Sequence, residues 1–220
     1  MRIGIASIRN PKPANPKSTA MLTWVRNILT SSRAAEQRQR WWDARLAALE
    51  AVLGKCDGMI YQPAPPRHRL GYADVLRFRN YVNGIAYVTC DLVGNPHQVP
   101  NKWGHYELML CTPRENDWAP QLLSRLAQYT HEATLHPGDT MDLGEARPPR
   151  STIAALIFAR PDPPADSFTV LGTPANLILC IGITPAEFAA CKNFGSGVML
   201  RMLRENHVYP FTDLHRESVT

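Results

Sequence analysis

Short apolar segments bounded by glycine, proline or asparagine constrain the fold of this chain more than any other feature of its sequence. These segments are rich in β-branched and aromatic residues, a composition that is typical of strands. The sequence therefore predicts a series of strands, which lie within residues 58–62, 74–82, 84–93, 105–112, 151–159, 167–172, 175–184 and 208–214.

A helix is predicted from Ser32 to Leu53, before the first strand. It has a serine cap, apolar residues at helical spacing, and Gly54 as its stop. Further helices interrupt the series of strands at residues 117–134, 184–193 and 195–207.

The helix starts carry recognisable capping residues. Asp117 is the predicted cap of the helix in residues 117–134, and Thr184 is followed by a proline and by a glutamate in the first turn. Because helices and strands do not alternate regularly, the sequence predicts an α+β domain. Its sheet is mainly antiparallel or mixed, and it is packed with helices.

The length of 220 residues and the apolar content of 45% allow one substantial hydrophobic core. The longest apolar run, residues 175–183, is about half of what a membrane-spanning helix requires. No membrane association is expected.

The net charge of +5 comes from the start of the chain. Residues 1–40 hold eight Lys or Arg and one acid, whereas the rest holds 16 bases and 18 acids. A phosphate-binding surface would leave the folded part basic, so nucleic acid is not an expected partner.

The division predicted from this pattern is a basic flexible arm at residues 1–31, followed by one domain at residues 32–220. The arm is rich in proline and lysine and poor in apolar residues. Two interpretations stay open, since translation could begin naturally at Met21, or the arm could serve targeting or tethering.

The five cysteines are odd in number, widely scattered and mostly within apolar segments. Such residues behave as small buried hydrophobes. No CxxC pair, zinc-ligand spacing or secretory signal is present, and the default expectation is a reducing, cytoplasmic location.

A polar cluster at residues 131–145, HEATLHPGDTMDLGE, is the first candidate for chemistry. His131 and His136 are five residues apart, about 140° around a helix, so they are poorly placed to share a metal ion. The acids at 139, 142 and 145 do not have the spacing of a calcium loop. Proline and glycine before Asp139 indicate a turn instead, and no metal or other cofactor is expected.

Other catalytic motifs are also weak. The glycines around Ser196 have the wrong offsets for a nucleophile elbow and favour a helix start, and no dinucleotide-binding fingerprint is present. Binding of an anion by the N-terminus of this helix is a weaker alternative, because the lysine of a phosphate loop is absent. No catalytic residue is assigned, although a small metal-dependent or hydrolytic enzyme that uses residues 131–145 stays the alternative.

In order along the chain, the segments resemble the Suppressor of fused (SUFU)-like domain. The match begins with the helix around Trp42 and covers roughly residues 40–220. Its motifs are YVTCDL, HYELML, WAPQLLSRLAQYT, LHPGDTMDL, VLGTPANLILCIGIT, GSGVMLRML and YPFTDLHRESV.

This resemblance implies a protein-binding domain and not an enzyme. In animals, SUFU captures an extended segment of Gli transcription factors, and single-domain bacterial relatives look like immunity proteins that neutralise toxins from competing cells. The chain corresponds to one domain, so the bacterial type is the better match. A regulatory scaffold unrelated to toxins is a further alternative, and the oligomeric state stays open.

The resemblance also implies two candidate binding residues. Tyr129 matches a tyrosine at a helix end and Asp139 matches an aspartate in a turn, both of which contribute to peptide capture in animal SUFU. The spacing between them is two residues shorter here. Structural alternatives stay open, because Tyr129 could pack as the last apolar residue of its helix and Asp139 could stabilise its turn.

Two charged residues have competing interpretations. Arg216 is the third candidate binding residue, because its guanidinium could form two parallel hydrogen bonds with an acidic partner. In the alternative interpretation, Arg216 pairs with Asp213 and stabilises the last strand. Glu107 lies on a predicted strand between apolar neighbours, and it is either a buried paired acid or an exposed contact.

Overall fold

Helix α1 (Pro16–Leu53) is the first element of the computed structural model, which describes residues 16–63 and 71–220. It begins upstream of Ser32, the predicted cap. It ends as predicted, because Gly54 has a φ of +84° and donates its N–H to the carbonyl of Glu50. Residues 1–15 of the predicted arm lie outside the described residues, and the boundary at residue 32 stays a prediction.

Residue contacts divide the chain into two units, Met1–Arg40 and Trp41–Thr220. The described part of the first unit is helical. The second unit contains the sheet, the end of α1 and the other three described helices, which are α2 (Trp118–Tyr129), α3 (Pro185–Phe194) and α4 (Ser196–Glu205).

Eight described strands form one sheet. They are β1 (Cys56–Tyr61), β2 (Val75–Phe78), β3 (Ile85–Thr89), β4 (His105–Thr112), β5 (Thr140–Asp142), β6 (Ala155–Ala159), β7 (Ser167–Val170) and β8 (Thr173–Ile183). Their order across the sheet is β1-β2-β3-β4-β8-β6-β5, and β7 pairs with the first part of β8. Among the described pairings β4 with β8 is parallel and the others are antiparallel, which confirms the predicted α+β fold.

The central strand β8 is buried from Ala175 to its end because helices cover both faces of the sheet. Leu177 and Leu179 belong to the hydrophobic cluster that contains residues of α1, α3 and α4. Ile178 and Cys180 belong to the opposite cluster, which contains the buried face of α2. This alternation follows the two-residue period of a strand, so a continuous apolar run fills two cores at once.

The predicted cap residue of α3 forms its side-chain cap hydrogen bond, and that of α2 does not. Asp117 makes no side-chain cap hydrogen bond, and the side chain of Asn116 accepts from the N–H of Ala119 instead. At α3, Thr184 and Glu187 form the capping box that the sequence predicted.

The strand predicted at residues 208–214 is wrong. Phe211 forms an isolated parallel bridge with Cys111, and Thr212 donates its N–H to the carbonyl of Cys111. The reason is that the pairing of β4 with β8 ends at Met109, which leaves one side of Cys111 without a strand neighbour among the described residues. The short segment at Phe211 and Thr212 pairs there instead. Pro210 has no N–H with which to continue a ladder.

None of the helices within the described residues has the length and apolar character to cross a membrane.

All five cysteines are free thiols, and Cys90, Cys111, Cys180 and Cys191 are buried whereas Cys56 is partly exposed. Burial raises the pKa of each of these four thiols, and Cys111 reaches about 12. We expect a thiol-reactive chromophore to label Cys56 rapidly in the native protein and to label the other four only after unfolding. Rapid native labelling of Cys111 in a Cys56→Ser variant would contradict this arrangement.

Candidate protein-binding surface

Strand β5 lies at one end of the sheet, where it pairs only with β6. Within the described residues no strand covers its other side, and Asp142 at its end is exposed. Unpaired backbone N–H and C=O groups on such an edge can accept an additional strand. The sequence did not predict β5, because three residues of mixed polarity show no strand pattern.

Asp139 lies in the turn that leads into β5. Its Oδ2 accepts a hydrogen bond of 2.9 Å from the N–H of His136, and its own N–H donates to the carbonyl of His136 at 3.0 Å. Gly138, with a φ of +99°, completes this turn. Asp139 is exposed, and its Oδ1 accepts no hydrogen bond from the residues that the structure describes. Its carboxylate therefore stabilises the turn and still presents one oxygen to solvent.

The junction between α3 and α4 lies against the same turn. The hydroxyl of Ser196 donates to the carbonyl of Gly138 at 2.5 Å, which gives this serine a structural role. Phe194, two residues earlier, is 69% exposed. An exposed aromatic ring of this size, two residues from a serine that contacts the turn before a free sheet edge, is typical of a protein contact. We call the combination of β5, residues 136–139 and Phe194 the edge surface.

Phe194 was missed by the sequence analysis. The sequence does show a large aromatic residue at the predicted end of a helix, directly before Gly195, but this pattern alone does not say that the ring is exposed. What the sequence lacked was the hydrogen bond between Ser196 and Gly138, which joins residues 58 positions apart.

Tyr129 is the last residue of α2 and is 44% exposed. The buried positions at this end of the helix are Leu126 and Ala127, so Tyr129 does not pack as the final apolar residue. Tyr129 and Asp139 lie at the two ends of the segment between α2 and β5, and no hydrogen bond joins them in the described part of the chain. The structure leaves the ring of Tyr129 available for a partner.

Arg216 is used inside the domain, which corrects both of its predicted roles. Its two terminal nitrogens each donate to Glu187 at 2.5 Å, one to Oε1 and the other to Oε2, and its side chain is only 9% exposed. Asp213 accepts instead from the N–H of His215. The carboxylate that accepts both hydrogen bonds belongs to Glu187, 29 positions away in the chain. Arg216 is therefore not a surface contact.

Several polar groups of residues 131–145 make local contacts. The ring of His131 lies 5.8 Å from that of His97, and burial followed by the proximity of His97 lowers the pKa of His131. Asp142 accepts from the N–H of Gly144. Across residues 33–63 and 71–220, no three His, Cys, Asp or Glu side chains are grouped as metal ligands.

Glu107 is fully buried on β4, which decides between its two interpretations. Its carboxylate accepts hydrogen bonds from the hydroxyl of Thr89 and from the N–H groups of Leu92 and Val93, at 2.6, 3.0 and 2.8 Å. Burial raises the pKa of Glu107 to about 7, even though Arg45 and these donors favour the charged form. Glu107 is a structural acid that organises the loop after β3.

Comparison with known proteins identifies the family. The sequence profile of the Suppressor of fused protein (SUFU) family matches residues 72–217. The chain belongs to the SUFU family. This confirms the resemblance seen in the sequence, and the match includes the edge surface and both Tyr129 and Arg216. No curated protein shows significant sequence similarity to the chain as a whole.

Solved SUFU structures share the fold. A SUFU homologue from Neisseria gonorrhoeae has a TM-score of 0.62 and 15% identity, over 82% of this chain and 97% of that one. A chain of a Sufu–Fu complex has a TM-score of 0.61 and 12% identity, over 80% of this chain and 89% of that one. Drosophila Suppressor of Fused has a TM-score of 0.54 and 15% identity, over 68% of this chain and 43% of that one.

Proposed function

We propose that this SUFU domain is a non-enzymatic protein-binding module that acts as an immunity protein in the bacterial cytoplasm. It neutralises a toxin by forming a stoichiometric complex that covers the toxin's functional cleft. The edge surface is the contact region, with Asp139 as its polar contact, and the exposed ring of Tyr129 is a separate aromatic contact.

The edge surface is the observation that carries this proposal. It combines an unpaired strand edge, an exposed carboxylate oxygen of Asp139 and the ring of Phe194, which is 69% exposed. A sheet edge supplies main-chain hydrogen bonds, and an aromatic ring beside it supplies apolar contact area. These are the properties of a surface that binds a polypeptide.

The solved relatives support a protein partner. One of them is a complex of Sufu with Fu, so a protein with this fold does bind another protein. The gonococcal homologue matches this chain over 97% of its length. The bacterial single-domain type is therefore a suitable reference for the proposed function.

The enzyme alternative loses its main support, because the cluster at residues 131–145 is engaged in local structure. The carboxylate of Asp139 accepts a hydrogen bond from the N–H of His136, and that of Asp142 accepts one from the N–H of Gly144. The ring of His131 packs beside that of His97. The two aspartates are thus used in turns of the chain, which explains their presence without chemistry.

Protection from a toxin is the direct test. We expect cells that express the toxin module encoded next to this gene to survive when this protein is co-expressed, and the two proteins to co-purify at a ratio of one to one. Co-purification without protection would favour a regulatory scaffold. Neither protection nor a complex would reject the immunity role.

A Phe194→Asp variant is expected to bind the toxin roughly thirtyfold more weakly, about 2 kcal/mol, because an exposed aromatic contact is lost and a charge is placed in the interface. Folding should be unaffected, since the ring is 69% exposed. Affinity is measured by isothermal titration calorimetry and folding by circular dichroism.

Met59→Asp is the matched control for Phe194→Asp. Met59 is 43% exposed and lies on β1, at the opposite end of the sheet. We expect this control to bind with unchanged affinity. Equal weakening by both substitutions would place the interface elsewhere and contradict the edge surface.

A further inference from the structure

A cleft of about 590 Å³ lies where the turn after β2, the loop between β6 and β7, and the segment after α4 meet the end of α1. It does not include the residues of the edge surface. Rings form a large part of its walls, and they belong to Tyr81, Tyr209, Pro163, Pro164 and Pro210. Aromatic and proline rings around one cleft offer flat packing surfaces to another ring-rich chain.

The wall at Tyr209 is held in place by charged neighbours. The guanidinium of Arg204 lies 3.6 Å from the centroid of the Tyr209 ring. Arg204 is itself fixed by two hydrogen bonds to Asp162, at 2.9 and 3.0 Å, and the Tyr209 hydroxyl reaches the carbonyl of Arg160 at 3.4 Å. A ring fixed before binding loses little conformational entropy when a partner arrives.

Two polar side chains of the cleft have unused hydrogen-bonding capacity. The hydroxyl of Tyr81 and the amide of Asn80 make no hydrogen bond with any residue that the structure describes. Burial raises the pKa of Tyr81, so its hydroxyl keeps its proton and remains a donor. Both groups can donate to carbonyl oxygens of a bound chain.

The cleft also has an acidic side. Asp162 lines it, and its side chain is 58% exposed in spite of the pair with Arg204. A carboxylate has more acceptor sites than one guanidinium occupies, so Asp162 can accept a further hydrogen bond from a cation. The charge of the cleft edge therefore favours a basic ligand group.

We propose that this cleft binds a proline-rich, extended segment of a partner protein, flanked by lysine or arginine. An extended polyproline chain has no internal hydrogen bonds, so its carbonyl oxygens are free to accept from Tyr81 and Asn80. Its proline rings pack on the tyrosine and proline walls, as in other aromatic-lined grooves that recognise such chains. The flanking cation lies at Asp162. This site is independent of the immunity role.

Fluorescence anisotropy with a labelled peptide of six prolines flanked by arginines tests the proposal. We expect saturable binding to the full chain, with weaker binding when glutamates replace the arginines. A peptide in which glycine and serine replace the prolines should not bind. Tyr81→Phe and Asn80→Ala should each weaken binding about three- to tenfold, the loss that follows from one hydrogen bond.

Asn193→Ala is the matched control, since Asn193 is an exposed asparagine on α3 outside the cleft, and its affinity should be unchanged. Tyr81→Phe keeps the ring that packs against the core, so its fold is expected to be intact. Equal binding of the glycine-serine peptide, or no effect of either cleft substitution, would overturn the proposal. Self-association that depends on Tyr81 would assign the cleft to a second copy of the chain and overturn it as well.

Discussion

Replacing Arg216 with alanine is expected to lower the free energy of unfolding by about 3–5 kcal/mol, because it leaves a buried carboxylate without its cation. Glu187 is fully buried, and both of its oxygens accept from Arg216. The same guanidinium donates to the carbonyl of Gly182 at 3.0 Å. The pair therefore ties the C-terminal segment to the end of β8 and to the start of α3.

The charged state of Glu187 depends on this arrangement. Burial raises its pKa, but Arg216 and the N–H groups of Thr184 and Val219 outweigh burial, and the net pKa is lowered. A depressed pKa contributes stability above the pKa of the unfolded state and loses it as the pH falls through the folded value. The difference in the free energy of unfolding between wild type and Arg216→Ala should therefore decrease when the pH falls below 4.5, the ordinary pKa of a glutamate.

Urea denaturation followed by circular dichroism measures this loss. Lys55→Ala is the control, because Lys55 pairs with Glu50 at 2.6 Å but its side chain is 83% exposed. Exposed ion pairs contribute no more than about 1 kcal/mol. A loss for Arg216→Ala as small as that of Lys55→Ala would contradict a structural role for the buried pair.

Replacing Glu107 with alanine is expected to lower the free energy of unfolding by a similar amount, about 3–5 kcal/mol, because three donors lose their buried acceptor. These donors are the Thr89 hydroxyl and the N–H groups of Leu92 and Val93. Arg45, which donates to the carbonyl of Val93 at 2.6 Å, would also lose a nearby negative charge.

The pH dependence of the free energy of unfolding distinguishes the effect of the charge of Glu107 from the effect of its size and packing. Its pKa is about 7 in the folded protein, against an ordinary value of 4.5, so the folded state binds more protons between these values. Stability that depends on Glu107 is therefore complete below about 4.5 and is lost as the pH rises to about 7, by roughly 3 kcal/mol. A Glu107→Gln variant should lack this component.

Urea denaturation of wild type and Glu107→Gln between pH 4.5 and 7.5 checks the sign. The free energy of unfolding of the wild type should decrease relative to that of the variant as the pH rises. A parallel dependence for the two proteins would show that Glu107 does not titrate in this range. Glu36→Gln, an exposed substitution on α1, controls for the removal of one carboxylate.

Much of the fold could be predicted from local pattern. Five of the eight described strands fall within predicted segments, β1 and β8 overlap theirs, and Thr184 with Glu187 forms the predicted capping box. These features depend on neighbouring residues, through the strand period and the geometry of a helix start. The three-residue strand β5 and the irregular segment after α4 were not predicted, because distant partners define them.

The candidate surface was predicted only in part. The sequence placed Asp139 in a turn and Tyr129 at a helix end, and both side chains are exposed. Arg216 was assigned to the surface, but Glu187 occupies its fork from 29 positions away. Phe194 was not assigned at all, since the link between the start of α4 and the turn before β5 depends on the hydrogen bond between Ser196 and Gly138.

The sequence by itself determined the class of fold and the turn that holds Asp139, because short-range steric and hydrophobic patterns encode them, and it indicated the family through its resemblance to SUFU. The tertiary structure alone decided which charges are buried and paired and which side chains are left for a partner. Burial and pairing are set by contacts between residues far apart in the chain, and these contacts exist only after the sheet has brought the residues together.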